Sequence, residues 1–200
     1  WGEMAEGLGA SVETIDFGDS DAVDLTQVEA VLKADTAGRI KAVLTVLVDT
    51  STGVLNDVRG IRAAIDNVGH GALLMCDAIA SLGCDEYHMD DWGVDITVAA
   101  SQKGLMTPPG IGFVWFNDKA DAVRETNNLV SKYWDWRPRV AGDEYWKFFD
   151  GTAPTHHLYG LREALDMIKD EGLQNVWARH DGLAHAVWAA IDVWSADGPM

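Results

Sequence analysis

The sequence predicts an α/β fold built on a mostly parallel β-sheet, because short apolar runs alternate with helical patterns over the first part of the chain. Strands that alternate with helices in this way form parallel sheets covered by those helices. The part after residue 117 shows helical patterns and no further strand. With 200 residues, 48% of them hydrophobic, the chain is long enough to bury one or two cores.

The apolar runs are the predicted strands, and several are continuous, as is typical of strands buried on both faces. They comprise residues 13–17, 42–49, 72–77, 96–100 and 111–116. Two helices are predicted between the earlier runs, at residues 24–34 and 57–67, where apolar residues recur at helical spacing. Asp24 is the expected capping residue of the first helix.

Three further helices are predicted at residues 118–132, 158–169 and 174–194. Between the first two, residues 133–154 are crowded with aromatic side chains and interrupted by proline and glycine. A long segment with this many aromatic residues is predicted to be structured. Its aromatic side chains either line a substrate mouth or seal a subunit interface, and the interface is the preferred interpretation.

The overall charge argues against a nucleic-acid partner. The formal net charge is -17 and only 15 residues are Lys or Arg, whereas nucleic-acid binding depends on basic side chains that neutralise phosphates. No apolar run approaches the ~20 residues that a membrane span needs, and no secretory signal opens the chain. We therefore expect a soluble, cytoplasmic protein that contacts no membrane.

The cysteine and histidine residues form no metal-binding pattern. Cys76 and Cys84 are the only cysteines, and they are expected to be buried, reduced thiols. The histidine pairs at positions 156 and 157 and at positions 180 and 185 lack an acidic ligand at a suitable spacing. No metal site is therefore expected.

The residues with the clearest chemistry are Asp77, which ends one predicted strand, and Lys103, in the loop after the next. Ligands of open α/β sheets bind at the carboxyl ends of the strands, so both side chains should face one crevice. Pyridoxal phosphate would use both, because its aldehyde forms a Schiff base with a lysine and its ring nitrogen stays protonated beside a carboxylate. The pair alone is a weak signal, and a non-catalytic α/β scaffold also fits it.

Several stretches around this pair resemble class V aminotransferases, in particular the branch that uses glyoxylate or pyruvate. They are Cys76-Asp77-Ala78-Ile79-Ala80-Ser81-Leu82-Gly83, Trp92-Gly93-Val94-Asp95, Ala100-Ser101-Gln102-Lys103-Gly104 and Pro108-Pro109-Gly110. Residues 50–54 resemble the cofactor-contacting turn of that branch, and residues 158–165 with 171–173 resemble its connecting helix. The resemblance extends over nearly the whole chain and implies the fold of type I pyridoxal-phosphate-dependent transferases.

The resemblance also implies two domains. Residues 1–172 correspond to the large cofactor-binding domain, incomplete at its N-terminal side, and residues 173–200 to the beginning of the small C-terminal domain. The glycine-rich phosphate loop, the aromatic residue that stacks on the cofactor ring and the arginine that binds the substrate carboxylate lie outside these residues. The chain is therefore expected to be a piece of a longer protein.

The resemblance gives cofactor roles to individual residues of this chain. Lys103 is the Schiff-base lysine and, once freed by substrate, the base that moves the substrate proton. Asp77 pairs with the pyridine nitrogen, Thr50 hydrogen-bonds near the ring hydroxyl, and Gln102 reaches the phosphate. Ile79 packs against one ring face or, equally well, is ordinary core.

The resemblance implies a homodimer as well, because this family holds the phosphate partly with a threonine of the neighbouring subunit. The matching residue is Thr152, in Gly151-Thr152-Ala153-Pro154. Phe149 stands where some relatives have a tyrosine, and it cannot donate a hydroxyl to the phosphate.

The function implied is transamination with a ping-pong mechanism. An L-amino acid, with aspartate or serine favoured, would give its amino group to the cofactor, which stores it as its pyridoxamine form and passes it to glyoxylate or pyruvate. A cysteine desulfurase is the alternative within the superfamily. However, Gln102 stands where such enzymes usually have a histidine, and neither cysteine looks mobile.

Overall fold

The computed structural model describes residues 1–127, 133–140 and 142–196. The elements in chain order are α1 (Gly2–Gly7), α2 (Leu25–Ala34), β1 (Ala42–Val46), α3 (Val58–Asn67), β2 (Leu73–Asp77), β3 (Ile96–Ala100), β4 (Gly112–Phe116), α4 (Asp118–Thr126), α5 (Arg137–Val140), α6 (Thr155–Glu171) and α7 (Leu173–Ser195). A short 3₁₀ helix, Tyr145–Phe149, lies between α5 and α6.

The four strands form one sheet in the order β1-β2-β3-β4. The first three run parallel, and β4 is antiparallel to β3. The predicted mostly parallel sheet is therefore confirmed. Asp77 lies opposite Val46 on one side and Val98 on the other, so the parallel strands end along one edge. We call this edge, formed by the ends of β1, β2 and β3, the carboxyl edge.

The two central strands are more deeply buried than the outer two. Leu74 and Cys76 of β2 are completely buried, whereas Leu44 of β1 is 43% exposed and Val114 of β4 is 50% exposed. The continuous apolar runs predicted strands buried on both faces, and this is observed for the two central strands. The prediction is wrong for β1 and β4, which are the edge strands of the described sheet.

The strand predicted at residues 13–17 is wrong, because this segment is irregular. Ile15 and Phe17 are half-buried and the residues between and before them are exposed, so the alternating pattern is real. Phe17 packs against the core under α2 and α3, and Asp16 turns the chain by accepting a hydrogen bond from the Gly18 N–H at 2.8 Å. The segment crosses the surface without pairing to the sheet.

Helices α2 and α3 begin where aspartate side chains cap their first turns. The Asp24 carboxylate accepts a hydrogen bond from the Thr26 N–H at 2.8 Å, and the Asp57 carboxylate accepts one from the Gly60 N–H at 2.7 Å. Such bonds satisfy N–H groups that have no partner inside the helix. The predicted cap at Asp24 is confirmed.

One core cluster joins these two helices to the sheet. Its completely or almost completely buried members come from α2, α3 and the strands, and they include Leu32, Ile61, Ile65, Leu47 and Leu74. Burial of each such side chain stabilises the fold by about 1.5–3 kcal/mol. This packing holds the sheet rigid on one face and fixes where its carboxyl edge lies.

A buried carboxylate organises the opposite end of the sheet. Asp95, only 3% exposed, accepts hydrogen bonds from the Leu74 N–H at 2.8 Å and the Asn117 side-chain amide at 2.9 Å. Lys119 and Arg62 approach the same carboxylate at 3.3 and 3.5 Å. Removing one partner of a buried charge pair is strongly destabilising, so Asp95 locks β2, β3 and α4 together at the end remote from the carboxyl edge.

The later helices differ from the predictions only at their ends. Helix α4 stops at Thr126, with Asn127 already extended, and residues 128–132 of the predicted helix lie outside the described residues. Helices α6 and α7 are longer than predicted, and Gly172 separates them with a positive φ of 85°. Among the helices of the described residues, none is both long and apolar enough to cross a membrane.

Candidate active site

The carboxyl edge brings together the segments that carry the predicted cofactor residues. Asp77 is the last residue of β2, Thr50 lies four residues after β1, and Lys103 lies three residues after β3. Since the three strands are adjacent and parallel, these positions follow neighbouring strand ends, which is where open α/β sheets bind ligands.

Asp77 is held by both neighbouring strands. Its carbonyl accepts a hydrogen bond from the Leu47 N–H at 2.9 Å. Its half-buried carboxylate has a donor on each oxygen, since Oδ1 accepts from the Ile79 N–H at 2.8 Å and Oδ2 accepts from the Trp1 indole N–H at 3.3 Å. Each carboxylate oxygen can accept a second bond, so Asp77 retains capacity for a further donor such as a ring N–H.

Thr50 lies at the tip of a turn that Asp49 shapes. The Asp49 carboxylate accepts hydrogen bonds from the N–H groups of Ser51 and Thr52, both at 2.8 Å, and from the Thr52 hydroxyl. The backbone bonds from Thr52 and Ser51 hold the pKa of Asp49 below its usual value. Thr50 itself is exposed, so its hydroxyl is available to a ligand at the carboxyl edge.

The loop that carries Lys103 is closed by buried hydroxyl groups. Thr107 donates to the Ser101 carbonyl from its N–H at 3.0 Å and from its hydroxyl at 2.8 Å. The Ser101 hydroxyl donates to the Pro108 carbonyl at 2.9 Å, and His157 of α6 contacts the Pro109 carbonyl at 3.1 Å. Lys103 therefore projects from a loop whose base is fixed.

Two glycines bring the Lys103 loop against the loop that follows Asp77. A Cβ atom added to Gly104 would lie 2.3 Å from the Leu82 carbonyl oxygen, a distance that real Cβ atoms do not adopt. Gly83 has a positive φ of 88°, and its own Cβ would meet the Gly104 backbone at 3.2 Å. This backbone contact fixes the spacing between the two segments that carry Asp77 and Lys103.

The donor set at this edge fits pyridoxal phosphate. The Lys103 and Gln102 side chains are exposed, and within the described part of the chain the Lys103 amine makes no hydrogen bond or ion pair, so it is available to an aldehyde. Asp77 offers a carboxylate for the ring nitrogen, and the hydroxyl of Thr50 and the amide of Gln102 offer neutral hydrogen-bonding groups.

The remaining two predicted residues are less closely tied to this edge. Ile79 is half-buried beside Asp77 and donates its N–H to that carboxylate. Thr152 is exposed in the segment before α6, and none of the described hydrogen bonds connects it to Asp77 or Lys103. The structure thus places Thr50, Asp77, Ile79, Gln102 and Lys103 at or just after neighbouring strand ends, and none of the described hydrogen bonds links Thr152 to them.

The two cysteines are reduced and poorly suited to nucleophilic chemistry. Cys76 is completely buried, and burial raises the pKa of its thiol to about 12. Cys84 is half-buried, and burial, followed by the charge of Asp85, raises its pKa as well. In the described residues, no three His, Cys, Asp or Glu side chains lie close enough to hold a metal ion.

The aromatic segment after α4 is anchored at one point and exposed at others. Trp136 stacks on Phe116 of β4 with ring centroids 4.8 Å apart, whereas Tyr133 is 63% and Tyr145 is 71% exposed. Arg139 is paired within the chain, since it donates to the Asp135 carbonyl at 2.7 Å. Residues 133–140 and 142–154 of this segment form turns, bends and short helices.

One residue of the site was not predicted. Trp1 lies 76 residues before Asp77 in the chain, yet its indole N–H reaches the Asp77 carboxylate at 3.3 Å. No spacing rule connects positions that far apart.

An exposed lysine and a carboxylate that follow neighbouring strand ends of an α/β sheet are the groups expected of a protein that binds a cofactor at the carboxyl edge of its sheet. The family model for class V aminotransferases matches residues 1–195. The chain belongs to this family, and because class V aminotransferases use pyridoxal phosphate, the predicted cofactor is confirmed.

Curated relatives match almost the whole chain. It is 39% identical over 196 residues to a serine–glyoxylate aminotransferase of Hyphomicrobium methylovorum, covering 97% of this chain and 48% of the relative. It is 37% identical over 194 residues to an L-aspartate–glyoxylate aminotransferase of Paracoccus denitrificans, covering 97% and 49%. The chain therefore spans about half the length of these relatives.

A solved structure supports the same fold. The alanine–glyoxylate aminotransferase of Nostoc sp. superposes with a TM-score of 0.87 at 28% sequence identity, covering 97% of this chain and 51% of that one. The predicted fold of type I pyridoxal-phosphate-dependent transferases is thereby confirmed.

Proposed function

We propose that the full-length protein is an aminotransferase that moves an amino group from an L-amino acid to glyoxylate. The observation that carries the proposal is the backbone contact, at Gly83 and Gly104, between the loop that follows Asp77 and the loop that carries Lys103. Relatives named for serine–glyoxylate and L-aspartate–glyoxylate transamination support the choice of acceptor. They also make serine and aspartate the donors to test first, with pyruvate as a second acceptor.

Each residue at the carboxyl edge has a definite task in this proposal. Lys103 would hold the cofactor covalently and, when released, take up and return the proton of the substrate carbon through its Nζ atom. Asp77 would keep the ring nitrogen protonated, which lets the bound ring accept electrons from the substrate. Thr50 would form a hydrogen bond near the ring hydroxyl, Gln102 would form one to the phosphate, and Ile79 would pack against the ring face.

The same proposal assigns the boundary between two domains. Residues 1–172 would belong to the large cofactor-binding domain, and residues 173–200 would begin the small domain. The sharp break at Gly172, between two long helices, supports a boundary at this point. A homodimer, in which Thr152 reaches the phosphate bound by the neighbouring subunit, completes the proposal.

Absorption spectroscopy of the full-length protein tests the chemistry directly. With pyridoxal phosphate bound, the visible absorption band should fade when serine or aspartate is added and return when glyoxylate follows. Separate half-reactions of this kind are what a ping-pong mechanism requires. A protein that stays colourless with added pyridoxal phosphate would contradict the proposal and favour a non-catalytic α/β scaffold.

Two variants assign the roles. Lys103→Ala should lose the covalently bound cofactor, and its turnover should fall by about 10²-fold or more, whereas the exposed control Lys169→Ala should behave like the wild type. Asp77→Asn should keep the cofactor attached but slow proton abstraction, as measured by exchange of the substrate α-proton with deuterium oxide. Normal exchange in Asp77→Asn would refute the role given to its carboxylate.

A further inference from the structure

The loop that carries Lys103 is tied to helix α6 by one side chain. His157, in the first turn of α6, contacts the Pro109 carbonyl oxygen at 3.1 Å through its Nε2 atom. A carbonyl oxygen can only accept, so Nε2 carries the proton and donates it. Among the described hydrogen bonds of residues 102–110, this is the one whose partner lies outside residues 101–111. His157 therefore anchors the loop to a separate element of the fold.

A glycine lets the imidazole ring pack directly on the backbone of this loop. A Cβ atom added to Gly110 would lie 2.7 Å from Nε2 and 2.9 Å from Cδ2 of His157, so a side chain at position 110 would push the ring away. The apolar side chain of Leu161, also in α6, packs with Leu105 and Ile111 of the loop. The hydrogen bond thus fixes the register of two surfaces that already pack together.

Hydrogen bonds inside the loop connect the anchored end to Lys103. The Ser101 hydroxyl donates to the carbonyl of Pro108, the residue before Pro109, at 2.9 Å. The Thr107 hydroxyl donates to the Ser101 carbonyl at 2.8 Å. Because Lys103 lies between Ser101 and Thr107 in the chain, a shift of Pro109 would be transmitted to the backbone that carries Lys103.

We propose that His157 is a positioning residue that fixes the Lys103 loop on helix α6 and thereby places the Lys103 amine for Schiff-base formation with pyridoxal phosphate. In that step the Nζ atom replaces the aldehyde oxygen on its carbon, and the oxygen leaves as water with the two hydrogens of the neutral amine. The inference rests on the proposed function, because it presupposes that Lys103 forms this bond. His157 acts through the loop and not by contact with the cofactor.

The test compares two forms of the cofactor in full-length apoprotein. Pyridoxal phosphate can attach to Lys103, whereas pyridoxamine phosphate carries an amine in place of the aldehyde and binds without a Schiff base. The rate of attachment is measured as the fraction of protein that borohydride reduction fixes to the cofactor over time. His157→Ala should slow attachment by about threefold to tenfold, as expected for the loss of one hydrogen bond. Its affinity for pyridoxamine phosphate should not change.

Two further variants separate the hydrogen bond from the presence of a histidine. His157→Gln offers a side-chain N–H donor at a similar reach and should restore attachment to nearly the wild-type rate. His156→Ala is the matched control, because His156 is exposed in the same turn and makes none of the described hydrogen bonds. It should attach pyridoxal phosphate like the wild type.

Equal impairment with both forms of the cofactor would overturn the inference, because it would show that His157 supports the fold in general and not the placement of Lys103. A wild-type rate of attachment in His157→Ala, or no recovery in His157→Gln, would overturn it too. If His157→Ala folds poorly, His157→Leu, which fills similar space without a donor, is compared with His157→Gln instead. A wild type that binds pyridoxamine phosphate but never attaches pyridoxal phosphate would contradict the proposed function and this inference with it.

Discussion

Lys103 and Cys76 illustrate how burial separates two reactive side chains near the same edge of the sheet. Lys103 is exposed on a loop that Ser101 and Thr107 close, whereas Cys76 is completely buried beside Asp77. Desolvation disfavours the thiolate and raises the pKa of Cys76 to about 12. The amine is thus accessible and the thiol is not, which favours transamination over desulfurase chemistry by a cysteine of these residues.

Thiol labelling should show this difference. In native protein, a thiol reagent such as dithionitrobenzoate should modify Cys84 slowly and Cys76 only after unfolding, because only thiolates react and the pKa of both thiols is raised. The Cys84→Ser variant should therefore show no labelling at Cys76 until denaturant is added. Rapid labelling of native Cys84→Ser at Cys76 would mean that β2 opens readily and that Cys76 is accessible to solvent in the native protein.

Residue-level prediction from the sequence succeeded where a single strand end determines the position. Asp77 ends one continuous apolar run and Lys103 follows another, so the parallel-strand rule placed both at one edge. It could not find Trp1, whose contact with Asp77 joins residues 76 positions apart. Such a contact depends on how α1 lies over the sheet, and tertiary packing of this kind leaves no periodic signal in the sequence.

At the scale of elements, capping and burial explain which predicted strands and helices are present in the structure. β2 and β3 were predictable because continuous apolar runs fit strands covered on both faces. In segment 13–17, half-buried and exposed side chains alternate as they do in a strand. Phe17 nevertheless packs against the core although the segment pairs with no strand. Alternation records which side chains face inward, and hydrogen-bonding partners for the backbone are a separate condition.

The carboxylate that caps helix α2, Asp24, should make the stability of the fold depend on pH. The pKa of Asp24 is lowered, chiefly by the hydrogen bond from the Thr26 N–H and also by the Thr26 side chain. A carboxylate with a lowered pKa stabilises the fold above its unfolded pKa of about 3.8 and loses that contribution as the pH falls through its lower folded value. Stability supplied by this cap should therefore begin to decrease below about pH 4 and be lost once the pH is below the folded pKa of Asp24.

Urea unfolding of two variants at pH 7 and pH 3 separates the cap from its charge. Asp24→Asn should stay close to the wild type at pH 7, because asparagine is also a good N-cap, and should lose less stability than the wild type on acidification. Asp24→Ala should be less stable than the wild type at pH 7 and should likewise show a weaker acid dependence. An acid dependence of Asp24→Asn equal to that of the wild type would contradict the assignment.

At the scale of the whole molecule, the described residues supply only part of the predicted cofactor site at the carboxyl edge. The chain spans about half the length of its curated relatives, and Thr152 is exposed, with no described hydrogen bond to the other predicted cofactor residues. Nearby, Tyr145 and Phe148 are 71% and 53% exposed. Aromatic side chains are enriched in subunit interfaces, so these exposed aromatic residues support the proposed homodimer.

Mixing of inactive subunits tests whether Thr152 acts across such an interface. Consider a hybrid dimer of one Lys103→Ala subunit and one Thr152→Ala subunit. One of its sites would combine Lys103 of the Thr152→Ala subunit with Thr152 of the Lys103→Ala subunit, and would be intact. The other site would lack both residues. After equal mixing, half of the dimers would be hybrids with one intact site of two, so activity should recover to about a quarter of the wild type.

The alternative arrangement gives a different number from the same mixture. If Thr152 served the site of its own subunit, every site in the hybrid would lack either Lys103 or Thr152, and activity should not exceed the mean of the two parent variants. Each parent must first be unfolded and refolded alone as a control, because recovery there would reflect refolding and not exchange. In the proposed dimer, Thr152 of one subunit contacts the phosphate of the cofactor held by the other. Affinity of the hybrid for pyridoxal phosphate should therefore recover in parallel with activity. Such a parallel recovery would assign the effect to the phosphate contact and not to a general stabilisation of the dimer.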